Sequence, residues 1–311
     1  MIRGAFHPFY FKNTGNATSP SFAEHHGNQF GLSPIVLQDG YLKDYFYWAE
    51  SCFGDIDNDG DLDVLMSIFY SEHDTSSIYF HENIGTTTTP AFLDERISPF
   101  GLEGVTSASG DPVYQSSPEF VDFDGDGDLD VLVAHEHGFG YFANTGTPVS
   151  PAFSAQQHNP FGLFPNYDFK SIDVADLDND CDLDIIAKTF NGNAQTIYYE
   201  NTGSSTNPSF AMPVVDPFGL QSYYGTSVDF ADMDNDGDLD AFVGDFYGIY
   251  HFENVGSAFV PVFGPSQLNS NGLVIPRSRY YTHFQSANFV DIDNDGDLDA
   301  FVHDFYRTIF Y

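Results

Sequence analysis

Five stretches of the chain place aspartates at alternate positions directly ahead of an apolar run. The first reads DIDNDGDLDVLM from Asp55, and every copy has aspartate at positions 1, 3, 5, 7 and 9 and leucine at position 8. Position 6 is glycine in four copies, and glycine permits the sharp backbone turn that brings such side chains to one point. A hard cation such as Ca²⁺ takes six to eight oxygen ligands, so this spacing predicts about five calcium sites.

The side chains at positions 1, 3, 5 and 9 are the predicted ligands, and position 7 is predicted to add its backbone carbonyl. A helix-flanked calcium loop is excluded because it needs glutamate at position 12, where the first copy has Met66 and the second Val133. Acidic turns with a purely structural role are the alternative. Cys181 replaces the glycine in the third copy, so that site is expected to be the loosest. The candidate metal residues are Asp55, Asp57, Asp59, Asp61 and Asp63; Asp122, Asp124, Asp126, Asp128 and Asp130; Asp176, Asp178, Asp180, Asp182 and Asp184; Asp232, Asp234, Asp236, Asp238 and Asp240; and Asp291, Asp293, Asp295, Asp297 and Asp299.

The charge of the chain limits its partners. It has 46 acidic and 9 basic residues and a formal net charge of -37. Nucleic acid and anionic membrane surfaces are excluded because both require a basic surface, and no run is apolar enough to predict membrane insertion. Of the 46 acidic residues, 25 lie in the five stretches, which a uniformly acidic, solubilising surface would not explain. Charge clustered in this way opposes compact folding unless a cation neutralises it.

Two further signatures recur with the acidic stretches. An aromatic segment ending in Asn-x-Gly, such as YFANTG, is followed by proline and phenylalanine and then by Phe-Gly-Leu or Asn-Gly-Leu. Each signature asparagine lies 18 residues before the glycine of the last motif, which indicates a rigid shared module. We expect Asn-x-Gly to form a hairpin turn in which both residues take positive φ. The signature residues are Asn13, Asn83, Asn144, Asn201 and Asn254, with Gly31, Gly101, Gly162, Gly219 and Gly272.

The repeat period of 53 to 70 residues and its short aromatic and β-branched runs predict an all-β fold. The prediction is a single β-propeller domain over residues 1–311, with four-stranded antiparallel blades in about five to six repeats and five calcium loops. In each blade the first strand runs into the loop (SPEFVDFD) and the second leaves it (LDVLVAHEH). The third strand is the aromatic segment (GYFANTG), and the fourth lies near PAFSAQ. The repeats are approximately 1–31 (partial), 32–101, 102–162, 163–219, 220–272 and 273–311 (partial).

The partial repeats at the two ends predict that an early strand completes the last sheet and closes the ring, which removes exposed sheet edges. However, the segment from Phe9 to Phe11 and the segment from Ile309 to Tyr311 resemble the same strand of the repeat. This overlap leaves open a piece of a larger propeller, or self-association in which chains pair through their mid-blade termini.

The pattern Asp-x-Asp-x-Asp-Gly-x-x-Asp inside a β repeat of this length resembles the FG-GAP/VCBS repeat family, over nearly the whole chain. The resemblance implies a calcium-bearing propeller like that of integrin α subunits, with Asp55, Asp57, Asp59, Asp63 and their counterparts as ligands. Propellers of this family serve adhesion, sugar binding and, less often, polysaccharide cleavage. The Gly-Ala-Pro half of the family name is not evident here, so integrin-like ligand binding is not implied.

The predicted function is that of an extracellular or cell-surface module for binding, adhesion or structural assembly, and not that of an enzyme. Calcium loops of extracellular modules bind at about 10⁻⁴ to 10⁻³ M, which suits calcium outside the cell. The alternatives are a lectin-like propeller that binds carbohydrate and, less favoured, an enzyme that acts on polysaccharides. The predicted partner is a protein or a glycan.

A few residues outside the loops are candidates for these alternatives. Aromatic side chains in the variable segments suit a ligand site, and a His-x-His pair on one strand face suits a transition metal. Core packing and surface histidines are the simpler interpretations. Two cysteines are too few for a disulfide framework. The candidates are Tyr41, Tyr45, Tyr47, Trp48, Tyr223, Tyr224, Tyr280 and Tyr281 for ligands, and His25, His26, Glu72, His73, Asp74, His135, Glu136 and His137 for metal or catalysis.

Overall fold

The computed structural model describes residues 8–25, 29–32, 47–70, 75–189, 194–220, 225, 227–274 and 285–304. These residues form twenty β-strands and five single 3-10 turns, with no α-helix among them. Within these ranges no helix is long and apolar enough to cross a membrane. The strands are β1 (Phe9–Asn13), β2 (Phe22–His25), β3 (Tyr47–Gly54), β4 (Asp63–Tyr70), β5 (Thr75–His81), β6 (Arg96–Ile97), β7 (Ser116–Val121), β8 (Asp130–His135), β9 (Gly138–Phe142), β10 (Gln157–His158), β11 (Phe169–Ala175), β12 (Asp184–Thr189), β13 (Thr196–Tyr199), β14 (Val214–Val215), β15 (Ser227–Ala231), β16 (Asp240–Gly244), β17 (Ile249–Phe252), β18 (Gln267–Leu268), β19 (Gln285–Val290) and β20 (Asp299–Asp304).

The strands pair into five four-stranded antiparallel sheets, which are the blades of a β-propeller. Blades I to IV each take four consecutive strands, beginning with β3, β7, β11 and β15, and blade V joins β19 and β20 to β1 and β2. The predicted fold is confirmed, with five blades. The acidic stretches connect strand one to strand two of every blade. We call them loops I to V; they are residues 55–63, 122–130, 176–184, 232–240 and 291–299.

Blade V closes the ring with strands that are far apart in the sequence. Strand β1 pairs antiparallel with β20, so that Phe11 lies opposite Ala300, and β2 pairs with β1 on its outer side. The junction between β1 and β20, which we call the seam, is therefore formed within this chain and does not require a second chain. The proposed overlap of β1 with Ile309 to Tyr311 lies outside the described residues.

The apolar core lies between the blades. Every residue of β8 and of β12 is buried, because strand two of each blade has a neighbouring blade against both faces. Five clusters of buried side chains each join two consecutive blades; one holds Leu132 of blade II and Ile172 of blade III. The outermost strands of blades I to IV have only two residues each, which keeps the exposed sheet edges short. In blade II this strand directly follows the predicted PAFSAQ segment.

The first strands of the blades form an inner ring in which each contacts the first strand of the next blade. Equivalent positions of this ring carry carboxylates in blades II, III and IV, at Glu119, Asp173 and Asp229. Asp173 accepts the backbone N–H of Phe230 at 2.7 Å, and Asp229 accepts that of Phe289 at 3.0 Å. Burial raises the pKa of Asp173 to about 6. Burial, followed by the charge of Asp173, raises the pKa of Asp229 well above its usual value.

We expect the calcium-depleted chain to become more stable by about 1–3 kcal/mol as the pH falls from about 7 to about 5. A carboxyl whose pKa is higher in the folded than in the unfolded state stabilises the fold at low pH, and this contribution is lost as the pH rises through the folded-state pKa. Thermal unfolding across this range measures the effect. Asp229→Asn should make the profile less steep, whereas Asp111→Asn, at an exposed site, should leave it unchanged. Stability that falls steadily from pH 7 to pH 5 would contradict this expectation.

Candidate metal centres

Each loop is shaped by hydrogen bonds from its own backbone to its own carboxylates. In loop I, Asp55 accepts the N–H groups of Asp59 and Gly60, both at 3.0 Å. Asp59 in turn accepts the N–H of Asp61 at 3.0 Å. Loops III, IV and V repeat these bonds at the same three positions. The aspartates at positions 1 and 5 therefore fold the loop as well as present oxygens.

The loops need left-handed backbone at two positions. Gly60 at position 6 has φ of 94°, which confirms the predicted turn. Position 4 is also left-handed, with φ of 55° at Asn58, and asparagine holds it in four loops. This position was not predicted from the spacing of the aspartates, although asparagine tolerates positive φ better than most residues. Loop II has Gly125 there, because a side chain would lie 2.1 Å from Thr206 of blade III.

Loop III keeps the shared shape although Cys181 replaces the glycine. Its φ is 75°, and its N–H still donates to Asp176 at 3.0 Å. Left-handed backbone at a residue with a side chain costs about 1–2 kcal/mol, so the loop is strained but not rearranged. Its expected looseness remains a prediction. The thiol is exposed and free, and the thiol of Cys52 is buried and free.

The structure brings together three carboxylates in every loop. Oxygens from positions 1, 3 and 5 lie within 4.8 Å of one another in loops I, III, IV and V. In loop II the group consists of Asp122, Asp124 and Asp130, at positions 1, 3 and 9. Position 7 does not join these groups. Position 9, a predicted ligand in all five loops, is part of the group only in loop II.

Position 9 instead serves as an anchor. It is the first residue of strand two and is almost fully buried in all five blades. One oxygen of Asp130 accepts the N–H of Asn144 at 2.7 Å, and the other accepts the hydroxyl of Tyr141. The equivalent asparagine N–H reaches position 9 in each of the other blades. This carboxylate therefore ties the loop to strand three and to the hairpin that follows it.

The loops contain buried carboxylate oxygens without hydrogen-bond partners, which fits the binding of a calcium ion. Four of the five loops contain a buried carboxylate oxygen that accepts no hydrogen bond. Leaving such an oxygen without a partner is costly, and Ca²⁺ is a cation that binds carboxylate oxygens. Positions 1, 3 and 5 would hold the ion in loops I, III, IV and V, and positions 1, 3 and 9 would hold it in loop II. Of the oxygens without a partner, Asp178 Oδ1 and Asp293 Oδ1 belong to these groups, whereas the others are at position 7 or 9: Asp63 Oδ2, Asp128 Oδ1, Asp182 Oδ1 and Asp297 Oδ1.

The pKa values show how strongly these carboxylates disfavour their own charge. Burial raises the pKa of Asp63 to about 8 and that of Asp184 to about 7. For Asp182, burial and then the neighbouring Asp180 raise the pKa to about 6. Among the loop aspartates with a shifted pKa, Asp295 differs: burial acts to raise its pKa, but the hydrogen bond from Lys12 lowers it below the usual value.

The signature asparagine works through its side chain. The prediction of positive φ at Asn-x-Gly is wrong, because none of the five asparagines or their glycines has it. Instead, Asn144 Oδ1 accepts the N–H groups of Gly146 and Ala152, both at 3.0 Å. Asn13, Asn83, Asn201 and Asn254 make the same pair of bonds. An amide oxygen bridging the hairpin removes the need for a left-handed turn.

The Phe-Gly-Leu motif joins consecutive blades. Phe100 has φ of 54°, and its carbonyl accepts the N–H of Phe153 in the next blade at 2.9 Å. A side chain at Gly101 would approach the Phe153 carbonyl to 3.3 Å. The ring of Phe100 packs edge-on against Phe80 of its own blade, with centroids 5.2 Å apart. The same interblade bond links Phe30 to Phe92, Phe161 to Phe210 and Phe218 to Phe263.

Blade I lacks one element of the anchor. Phe80 pairs with Leu65 in the register in which Tyr141 pairs with Leu132, but it has no hydroxyl. As a result Asp63 Oδ2 is buried without a hydrogen-bond partner. The other blades supply a donor: Tyr198 to Asp184 at 2.9 Å, Tyr10 to Asp299 at 2.7 Å, and His251 beside Asp240 at 2.9 Å.

The two rings of the His-x-His motif lie edge-on with centroids 6.3 Å apart, but they do not share a strand face. Strand β8 ends at His135, so His137 lies in the following turn, and the expectation of two rings on one strand face is wrong. His135 is buried and accepts the N–H of His137 at 3.1 Å, and burial lowers the pKa of His135 to about 3. Glu136 accepts the N–H groups of Tyr114 and Gln115.

The remaining candidates from the sequence cannot be placed as side chains. His25, Tyr47 and Trp48 are described only as strand residues. The others lie outside the described residues: His26, Tyr41, Tyr45, Glu72, His73, Asp74, Tyr223, Tyr224, Tyr280 and Tyr281.

The fold and the loops define a class of protein: a five-bladed propeller with an acidic loop between strands one and two of every blade. Residues 122–187, from loop II into strand two of blade III, match the family model described as an FG-GAP-like repeat. This match and the propeller fold are consistent with the FG-GAP/VCBS family. No curated protein matches the chain.

Two solved structures are similar to the chain at low identity. An Agrocybe aegerita lectin, described in its recognition of non-reducing terminal N-acetylglucosamine, is 18% identical over 96% of this chain and 71% of that chain, with a TM-score of 0.42. BBS1N in complex with ARL6DN is 9% identical over 85% of this chain and 94% of that chain, with a TM-score of 0.32. At these TM-scores neither likeness bears on the function of this chain.

The anchor of position 9 can be tested by exchanging its donor between blades. Tyr141→Phe leaves Asp130 without its hydroxyl partner and should lower the free energy of unfolding of the calcium-depleted chain by about 1–2 kcal/mol. Phe80→Tyr gives Asp63 the donor it lacks and should raise this free energy by about 1 kcal/mol. Denaturant unfolding measures both changes. Shifts of the same sign for the two variants would contradict the assigned role.

Proposed function

We propose that this chain is an extracellular, calcium-stabilised β-propeller that acts as a binding, adhesion or structural module and not as an enzyme. The observation that carries the proposal is the gathering of three carboxylates, with oxygens within 4.8 Å of one another, in each of the five loops. Bound Ca²⁺ would supply positive charge that a chain with 9 basic and 46 acidic residues lacks. Each group sits on a different blade, so the metal would act on the whole ring.

The chain's own residues support a stabilising role for the metal. The loop carboxylates connect strand one to strand two, and position 9 connects both to strand three. In the absence of a cation the carboxylates repel each other, which opposes the closed loop. An extracellular location follows if these loops bind calcium as extracellular modules do, at about 10⁻⁴ to 10⁻³ M, because that affinity requires the calcium concentrations found outside cells.

Calcium at about 5 mM should raise the unfolding free energy by about 1–2 kcal/mol for each occupied loop, relative to the chelated protein. Calorimetry of the full chain in calcium, in magnesium and in chelator measures this. Magnesium should give a smaller rise, because it requires a stricter octahedral geometry. The double variant Asp122→Asn with Asp124→Asn should lose the contribution of one loop, and Asp111→Asn is the matched control outside the loops. An unfolding temperature equal in calcium and in chelator would overturn the proposal.

Clefts between neighbouring loops favour a second candidate function, carbohydrate binding. One cleft of about 260 Å³ lies between loops IV and V, and one of about 300 Å³ lies between loops III and IV. Carboxylate and amide groups such as Asp232 and Asn235 line the first cleft together with the apolar side chains of Met233 and Leu298. A sugar ring offers hydroxyls for such groups and an apolar face for such side chains.

Filling the cleft should separate a glycan-binding module from a structural one. Ala17 lines the cleft between loops IV and V, so Ala17→Trp should abolish glycan-array binding there, while Ala155→Trp, at an exposed site elsewhere, should not. Light scattering in calcium tests the structural alternative. Particles heavier than one chain, without glycan binding, would favour assembly over carbohydrate recognition.

A further inference from the structure

Loop V differs from the other loops by a lysine. Lys12 Nζ donates a hydrogen bond to Asp293 Oδ2 and lies 3.0 Å from Asp295 Oδ2. These aspartates hold positions 3 and 5 of the loop, and both belong to its group of three carboxylates. Among the ion pairs of the described residues, this is the only place where a lysine or arginine contacts a loop aspartate.

No other blade has a basic residue at the strand position of Lys12. Lys12 directly precedes the signature asparagine, and its counterparts are Glu82, Ala143, Glu200 and Glu253. Glu82 and Glu200 lie close enough to position 3 of their own loops to add to the negative charge there. Arg96 pairs with Glu82 at 2.6 Å and compensates part of that charge. Loop V is thus the one described loop in which this position brings a cation.

Lys12 also belongs to the seam of the ring. It lies on β1, and the two aspartates it contacts follow β19, 281 and 283 residues further along the chain. Tyr10 and Asn13 tie the same strand to Asp299, at 2.7 Å each, but those two contacts have counterparts in other blades. The contact of Lys12 with the loop aspartates is the feature of this seam that has no counterpart in the other described blades.

We propose that Lys12 is a built-in competitor for the metal of loop V, which makes this loop a weaker calcium site than loops I, II and IV and keeps the seam tied when calcium is scarce. The inference rests on the proposed calcium function. An ion bound to Asp293 and Asp295 would lie within a few ångströms of the ammonium group, and like charges at that distance repel. Calcium must therefore displace Lys12 from the two carboxylates. Without calcium, the ammonium group neutralises part of their charge.

Calcium binding to the full chain tests the proposal by equilibrium dialysis from about 10⁻⁵ to 10⁻² M, a range that brackets the affinities of such loops. The wild-type chain should bind the ion of loop V about tenfold more weakly than the ions of loops I, II and IV. Lys12→Met should bring this ion to the affinity of those three, and Lys12→Glu, which copies blades I, III and IV, should do the same. Lys170→Met removes a lysine paired with Asp168 outside the loops and should leave the weak ion weak.

Two further measurements assign the effect to loop V. Adding Asp293→Asn to Lys12→Met should remove one of the tight ions, whereas Asp293→Asn alone should remove only the weak one. In chelator, Lys12→Met should lower the unfolding temperature by a few degrees, and at saturating calcium this loss should disappear. If Lys12→Met folds poorly, as judged by circular dichroism, Lys12→Gln serves in its place.

The outcomes separate this inference from the proposed function. If the wild-type chain binds four or five ions and Lys12→Met changes neither the number nor the affinities, the inference is overturned and the calcium function stands. If the wild-type chain binds no calcium, both are overturned. A loop V ion that tightens about tenfold in Lys12→Met, and not in Lys170→Met, supports the role of Lys12.

Discussion

The structure depends on burying one carboxylate in every blade, at the first residue of strand two. Asp130 shows the arrangement: the backbone N–H of the signature asparagine and the hydroxyl of Tyr141 hold its two oxygens. Burying a carboxylate is costly unless hydrogen bonds satisfy its oxygens, so the donors to this residue fix where the loop, strand three and the hairpin lie. The asparagine, the strand-three aromatic and the Phe-Gly turn recur in the sequence because they complete the surroundings of this one group.

The price of that arrangement is concentrated negative charge, and the five blades handle it differently. Blade I lacks the hydroxyl and leaves an oxygen of Asp63 without a partner. Blade III accepts a strained cysteine in the turn. Blade V brings a lysine from the opposite end of the chain. A repeat that looks uniform in sequence therefore contains loops with different electrostatic surroundings.

Local spacing was enough to predict the propeller, the four strands of each blade and the closure by an early strand, because these follow from the repeat itself. It was not enough where a side chain replaces a backbone device, as at Asn144, whose amide oxygen closes the hairpin without positive φ. The contact of Lys12 with Asp293 joins residues 281 positions apart and has no local signal. The prediction that His135 and His137 share a strand face was wrong because β8 ends at His135, the first residue of the motif.

The interblade bond of the Phe-Gly turn has a consequence for how the molecule folds. The carbonyl of Phe100 is satisfied by blade II, and that of Phe30 in blade V by blade I, so a blade taken alone lacks one of its partners. Open repeat proteins fold from any point outward and protect their ends with capping repeats. A closed ring has no end to cap. Its last step must join strands from distant parts of the chain, which makes folding slow and loss of structure cooperative around the whole circle.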